Sequence, residues 1–217
     1  MSTTTTTDYP RLAAKLAIVA AFLGTVADLL LLYSPTGGYE VGDYQFLQGI
    51  SANRIMIGHY LGIFFIPLEM LGLFQVYRCL KPAGGWMPWA VVIGALFIGY
   101  PGIAYHGMVA FIHQMIQQGT MDAAALERVR MLSEPVGGAL AVGGGIVAGI
   151  MVYVILKKET LYPKWMAWCN PGAFYVLFAV CYLVIPVVGN VLIPAGFNLA
   201  FLLFFCCSLV AEKKVTA

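Results

Sequence analysis

Charge is scarce in this chain. Twelve Lys and Arg and ten Asp and Glu make up 10% of its 217 residues, where a soluble domain carries about 25%. That scarcity, beside so large an apolar fraction, excludes a disordered chain and an ordinary soluble enzyme. A net charge of +2 is too small to imply nucleic acid or another polyanionic partner. The five cysteines, Cys79, Cys169, Cys181, Cys206 and Cys207, form no CxxC pair, so a redox or zinc motif has no support. They read as small packing residues. GxSxG is absent and Ser34, Ser51 and Ser133 fall in loops, which leaves nucleophilic serine chemistry without its elbow. Every lysine lies at the end of an apolar run or in a loop, so a retinal Schiff base is disfavoured. HExxH and HxxxH are also missing. Short alternating strands are lacking, which excludes a membrane barrel.

What is present is apolar. Residues of the hydrophobic class make up 61% of the chain and the mean hydropathy is +0.85. Crossing a bilayer as a helix takes about 20 consecutive apolar residues. Six runs meet that length, at 12–33, 55–77, 88–116, 136–156, 166–185 and 189–211. The sequence therefore predicts an all-α polytopic membrane protein. It has one six-helix domain over 12–211, between polar tails at 1–11 and 212–217. The first run is too long for a signal-peptide core and has no small-residue cleavage site after it, so it reads as a retained span.

Lys and Arg set the orientation. With the N-terminus inside, the cytoplasmic segments hold Arg11, Lys15, Arg78, Lys81, Lys157, Lys158, Lys164, Lys213 and Lys214. The other side holds Arg54, Arg128 and Arg130. This bias predicts both termini in the cytoplasm, and a multi-pass protein of the inner (cytoplasmic) membrane. The first external loop, 34–54, contains Pro35, Gly37, Gly38, Tyr39, Glu40, Asp43 and Tyr44. The second, 117–135, contains TMDAAALERVRMLSE, which reads as a short helix on the membrane surface or a solvated connector. Gly145 and Gly149 form a GxxxG in the fourth run, a pattern that lets helix backbones pack closely and leaves oligomerisation open. Tyr9, Tyr33, Tyr77, Trp86, Trp89, Tyr162, Trp165 and Trp168 fall near run ends, as an interfacial belt requires.

Ionisable groups inside a membrane are costly and mark functional sites. Here they are Asp28, His59, Glu69, His106 and His113, with Asn198 as a polar companion. A rise of about 1.5 Å per residue places Asp28, His59 and His113 about 5–7 Å below the outer surface. On the same scale Asn198 and His106 lie about 15 Å deep and Glu69 about 21 Å. Helix breakers sit beside them: Pro67 before Glu69, Gly99-Tyr100-Pro101-Gly102 before His106, and Pro194 before Asn198. Freed carbonyls at such kinks tend to face protein or a watered cavity.

These groups point to a pocket reached from the outer side. Glu69 or Asp28 would exchange a proton, with His59 and His106 as acid–base partners. Tyr60, Tyr100 and Tyr105 would shape an apolar wall. His113 and Asn198 would complete the binding set. Structural roles compete at each position: a hydrogen-bonded neutral carboxyl, an Asp28 paired with Arg54 or a histidine, an imidazole joining two helices. No cofactor is favoured. Zinc would need His59, one further histidine and a carboxylate, and haem would need His59 facing His113 at one depth.

The segments VADLLLLYSP, SANRIMIGHYLGIF and YPGIAYHGMVAFIH resemble uncharacterised bacterial six-span membrane proteins. The resemblance covers roughly the first half of the chain and implies no activity. The functional expectation is an enzyme doing acid–base chemistry on a hydrophobic or lipid-like small molecule by isomerisation, cyclisation or hydrolysis. The alternatives are a proton-coupled transporter or channel, a non-catalytic lipid-binding or assembly subunit, and a bis-histidine haem protein.

Overall fold

The computed structural model describes residues 8–34 and 44–212. The described residues are helical throughout: α1 Tyr9–Leu32, α2 Ala52–Glu69, α3 Leu73–Leu80, α4 Met87–Gln117, α5 Ala123–Lys157, α6 Pro171–Val184, α7 Pro186–Leu192 and α8 Gly196–Ala211, with short 3₁₀ turns between some of them. Local chemistry sets several starts. The Asp8 carboxylate accepts from the Arg11 main-chain N–H, Asp122 from that of Ala125, and Asn170 from that of Ala173. Each satisfies a donor that a helix N-terminus leaves orphaned. Pro10 and Pro171 add a preset φ at the first turns of α1 and α6.

Four helical segments are long and apolar enough to cross a membrane: Tyr9–Leu32, Ala52–Ala83, Met87–Gln117 and Ala123–Lys157. Counting α7 with α8 adds a fifth, broken by a bend of 81°. α6 has only 14 residues, about 21 Å of helix against a hydrocarbon core of about 30 Å. Three expectations from the sequence change here. The short external helix is not separate: it continues through Pro135 into the fourth apolar run as α5. The fifth run begins with a 3₁₀ turn, Lys164–Trp168, and only then becomes α6, because Asn170-Pro171 caps a new helix. The sixth is interrupted at residues 193–195, where Pro194 ends continuity. Pro35, Gly37, Gly38, Tyr39, Glu40 and Asp43 of the first external loop lie outside the described residues, as do Lys213 and Lys214.

α1 is the centre of the packing. Its buried face is built from Ala14, Ala17, Ala20, Ala21, Gly24 and Ala27. Small residues let neighbouring backbones approach when lipid supplies no hydrophobic drive. A Cβ on Gly58 would stand 2.9 Å from the Ala27 carbonyl oxygen, and one on Gly72 would stand 2.5 Å from the Phe205 ring and 2.8 Å from Ala17 Cβ. α1 therefore runs antiparallel to the α2–α3 rod, with α8 against both. Large side chains turned outward, such as Phe97, Leu183 and Val187, give the apolar exterior that acyl chains require.

Ion pairs tie the chain ends together. Arg78 pairs with Asp8 and reaches Glu212 at 3.0 Å, and Arg11 reaches Glu212 at 3.5 Å. The Arg78 guanidinium holds the Asp8 carboxyl below its ordinary range. At the opposite end, Arg54 donates to the carbonyls of Leu29, at 2.6 Å, and Tyr33. A cation there meets the negative end of the α1 dipole and its orphan carbonyls.

Gly58→Ala should lower unfolding free energy in micelles by about 1–3 kcal/mol, the cost of forcing a methyl into a packed contact. Gly137→Ala, where a Cβ meets nothing within 4 Å, should leave stability unchanged or raise it slightly. Thermal melts of both variants check the pair; equal destabilisation would contradict the close α1–α2 contact.

Candidate functional site

Three helices bring polar side chains to one interior point. Asp28 lies late on α1, His106 in the middle of α4 and Asn198 in the first turn of α8, and all are buried. His106 Nε2–H donates to Asp28 Oδ1 at 3.0 Å. Asn198 Nδ2 donates to Asp28 Oδ2 at 2.7 Å. Both carboxyl oxygens are thus engaged, each by a different helix.

The break at Pro194 sets the position of Asn198. It restarts the helix at Gly196, so Asn198 falls where main-chain N–H groups have no intrahelical acceptor. The positive end of the α8 dipole then faces Asp28. Two glycines make the room. A Cβ on Gly62 would lie 2.1 Å from His106 Nδ1, and a Cβ on Gly24 would lie 3.0 Å from the Asn198 amide carbon. α2 and α1 therefore carry a glycine wherever a polar side chain from another helix must pass.

Glu69 is the fourth member. It is fully buried at the junction where α2, two residues past Pro67, tightens into the 3₁₀ turn Met70–Gly72. Among the described residues, neither of its oxygens has a hydrogen-bond partner. Two further buried atoms of the cluster, His106 Nδ1 and Asn198 Oδ1, also have no partner. Buried polar atoms left this way are rare and ask for an explanation.

The remaining expected residues separate from this point. His59 is half-buried beside it, with Nδ1 at 3.3 Å from the His106 carbonyl oxygen. Its ring lies against Tyr60. His113 donates through Nε2 to the carbonyl of Ile50, at 2.8 Å, which belongs to an apolar cluster with Leu31, Leu47, Ile55 and Ile112. His59 and His113 are thus engaged separately. Tyr105 is half-buried against that same cluster, near Leu31 and Ile112. Tyr60 and Tyr100 are 52% and 61% exposed on outward helix faces. Tyr60 lines an open groove of about 550 Å³ along α2, with Met56 and Phe64; neither tyrosine walls the Asp28 cluster. Arg54 caps α1 and leaves Asp28 to His106. Among the described residues, no three of His, Cys, Asp and Glu group closely enough to hold a metal ion.

Sequence reasoning missed the cradling role of Gly24 and Gly62, and a second buried polar group around Tyr162. Gln75 Nε2 approaches Cys79 Sγ at 3.5 Å, and the Tyr162 and Ser208 hydroxyls are 2.5 Å apart. The signal for Gln75 was a polar residue inside the second apolar run. Tyr162 gave none, since it resembled an interfacial tyrosine.

The fold and this cluster define an all-helical protein, with helices long and apolar enough to cross a membrane, that encloses a carboxyl–imidazole–amide triad beside a second carboxyl. The chain matches the family of unknown function DUF6796 over residues 7–215, and it belongs to that family. No curated protein and no solved structure matches it.

The triad can be tested by a double-mutant cycle. Asp28→Asn and His106→Gln should each destabilise the protein, and together by less than the sum, with a coupling of about 0.5–3 kcal/mol in unfolding free energy. Simple additivity would show that the two side chains do not meet.

Proposed function

We propose that this is a six-span protein of the cytoplasmic membrane with both termini inside. Its Asp28–His106–Asn198 cluster is the acid–base centre of a reaction on a hydrophobic, lipid-like small molecule. The observation that carries this reading is that one carboxyl is shared between an imidazole and an amide from two other helices, with acid–base atoms left open beside it. The ion pairs joining Asp8, Arg11, Arg78 and Glu212 support termini on one side, as an even number of crossings requires.

Each group has a role in such chemistry. The Asp28 carboxylate fixes the tautomer of His106 by accepting from Nε2–H, which leaves Nδ1 with a lone pair for proton transfer. Asn198 holds the other carboxylate oxygen and keeps Asp28 facing His106. Glu69 stores a proton within electrostatic reach. His59 stands between this centre and the Tyr60 groove on α2, where an apolar molecule in the bilayer would approach. Isomerisation, cyclisation and hydrolysis all use such groups.

Proton-coupled transport is the second reading. It is favoured by Glu69, whose two oxygens have no partner, as an ion-carrying carboxyl in a transporter requires.

The test is chemical. Purified protein is incubated with total membrane lipid, and the apolar extract is followed by mass spectrometry. Wild type should alter a hydrophobic species, and Asp28→Asn and His106→Gln should slow that change by about 10²–10⁴-fold, the usual worth of general acid–base catalysis. An unchanged extract, or variants as active as wild type, would contradict the reading.

A further inference from the structure

The buried polar groups do not stop at the triad. They continue along the α1, α2–α3 and α8 interior toward the end where Asp8, Arg78 and Glu212 meet. Glu69 comes first on the α2–α3 rod. Gln75 follows about 9 Å further along, and Cys79 about 6 Å beyond that, at the helical rise. Glu69, Gln75 and Cys79 are all fully buried. On α8, Ser208 lies about 15 Å past Asn198, and Glu212 one turn further. Ser208 is fully buried, and the Glu212 side chain is 3% exposed. Tyr162, from the segment after α5, closes the gap between the two rods: its hydroxyl meets Ser208 Oγ at 2.5 Å, and the main-chain N–H of its neighbour Leu161 donates to the Cys79 carbonyl at 2.9 Å. Glu212 meets Arg78 and Arg11, and Arg78 meets Asp8, which is 39% exposed.

A buried column of this kind inside an apolar bundle is costly and needs a reason. Packing does not supply one. Among the described residues, Glu69 Oε1 and Oε2 and Gln75 Oε1 have no hydrogen-bond partner, and the Glu212 carboxyl oxygens have ionic neighbours without hydrogen-bond geometry. Unpartnered acceptors in file, at a spacing of two or three water diameters, are what bridging waters satisfy.

We propose that Glu69, Gln75, the Tyr162–Ser208 hydroxyl pair and Glu212 form a proton path from the termini end of the bundle to the Asp28–His106 centre. The inference rests on reading that centre as proton-exchanging. A proton enters at the Glu212 carboxyl. It passes the hydroxyl pair as each oxygen gives up its hydrogen while accepting another, so neither ends with a net charge. Gln75 orients the next water without itself titrating. The proton then reaches Glu69, which protonates the Asp28–His106 pair; the following proton restores Glu69, and no electrons move. Burial pushes the Tyr162 phenol well above its usual range, so its hydroxyl stays intact to relay.

The path is tested by exchange at its inner member, without any substrate. Infrared spectra of protein in phosphatidylethanolamine–phosphatidylglycerol bilayers are recorded after a switch from H₂O to D₂O. Wild type minus Glu69→Gln isolates the Glu69 carboxyl band. Wild type should show a protonated Glu69 whose band shifts on deuteration within the mixing time. Gln75→Met, and Tyr162→Phe combined with Ser208→Ala, should slow that shift at least tenfold. These replacements nearly preserve shape, and circular dichroism melts identify any that fail to fold; Tyr162→Phe alone then serves as the milder block. Absence of a protonated Glu69 band, or exchange equally fast in every folded block variant, would overturn the path. A slowed shift with lipid chemistry unaffected by Asp28→Asn would leave the path standing and remove the enzymatic reading.

Discussion

A carboxyl group surrounded by hydrocarbon has no water to turn to. Leaving an ion unpaired there costs several kcal/mol, more than most single contacts in a folded protein return. Asp28 therefore dictates the company it keeps. It needs donors, and α1 cannot provide them because its own N–H groups are committed to its helix. The donors come from α4 and α8, and that requirement fixes where both helices cross α1. The glycines follow from the same need. His106 reaches Asp28 only because α2 carries Gly62 where its ring passes, and Asn198 only because α1 carries Gly24 beneath its amide. The break at Pro194 also serves Asp28, since it turns a helix N-terminus toward it. One buried charge thus explains the placement of three helices, two glycines and a kink.

The cluster leaves more buried atoms unmatched than a closed structural hydrogen-bond network does. A purely structural triad would be closed, with every polar atom matched. Here Asp28 is saturated by its neighbours, while the outward atoms of those neighbours, His106 Nδ1 and Asn198 Oδ1, are unmatched, as is all of Glu69. That combination, a saturated carboxyl ringed by buried unmatched atoms, is the observation on which the proposed acid–base role rests.

Much of this was legible in the residues. Asp28, Glu69, His106 and Asn198 stood out because polar side chains are conspicuous in apolar runs, and Pro194 marked the break. Depth counting put Asp28 and Asn198 several ångströms apart, yet they touch. Straight-helix arithmetic has no place for a bend of 81° or for helix tilt. Tyr60 and Tyr100 were misplaced for another reason: helices apolar on every side carry no phase that separates a lipid-facing ring from an interior one. The run at 166–185 gave no sign in hydropathy that its first residues form a 3₁₀ turn and that Asn170-Pro171 starts a new helix. Tyr162 was illegible because its partner, Ser208, is remote in sequence and meets it only through the fold.

The shared carboxyl is the point on which the account stands. Solid-state ¹⁵N NMR of histidine-labelled protein in bilayers reads it directly. The His106 resonances should show protonation at Nε2 with a strong hydrogen bond, and should move by several parts per million in Asp28→Asn while His59 and His113 stay in place. A His106 spectrum indifferent to Asp28→Asn would mean that the imidazole and the carboxyl do not share a proton, and the centre described here would not exist.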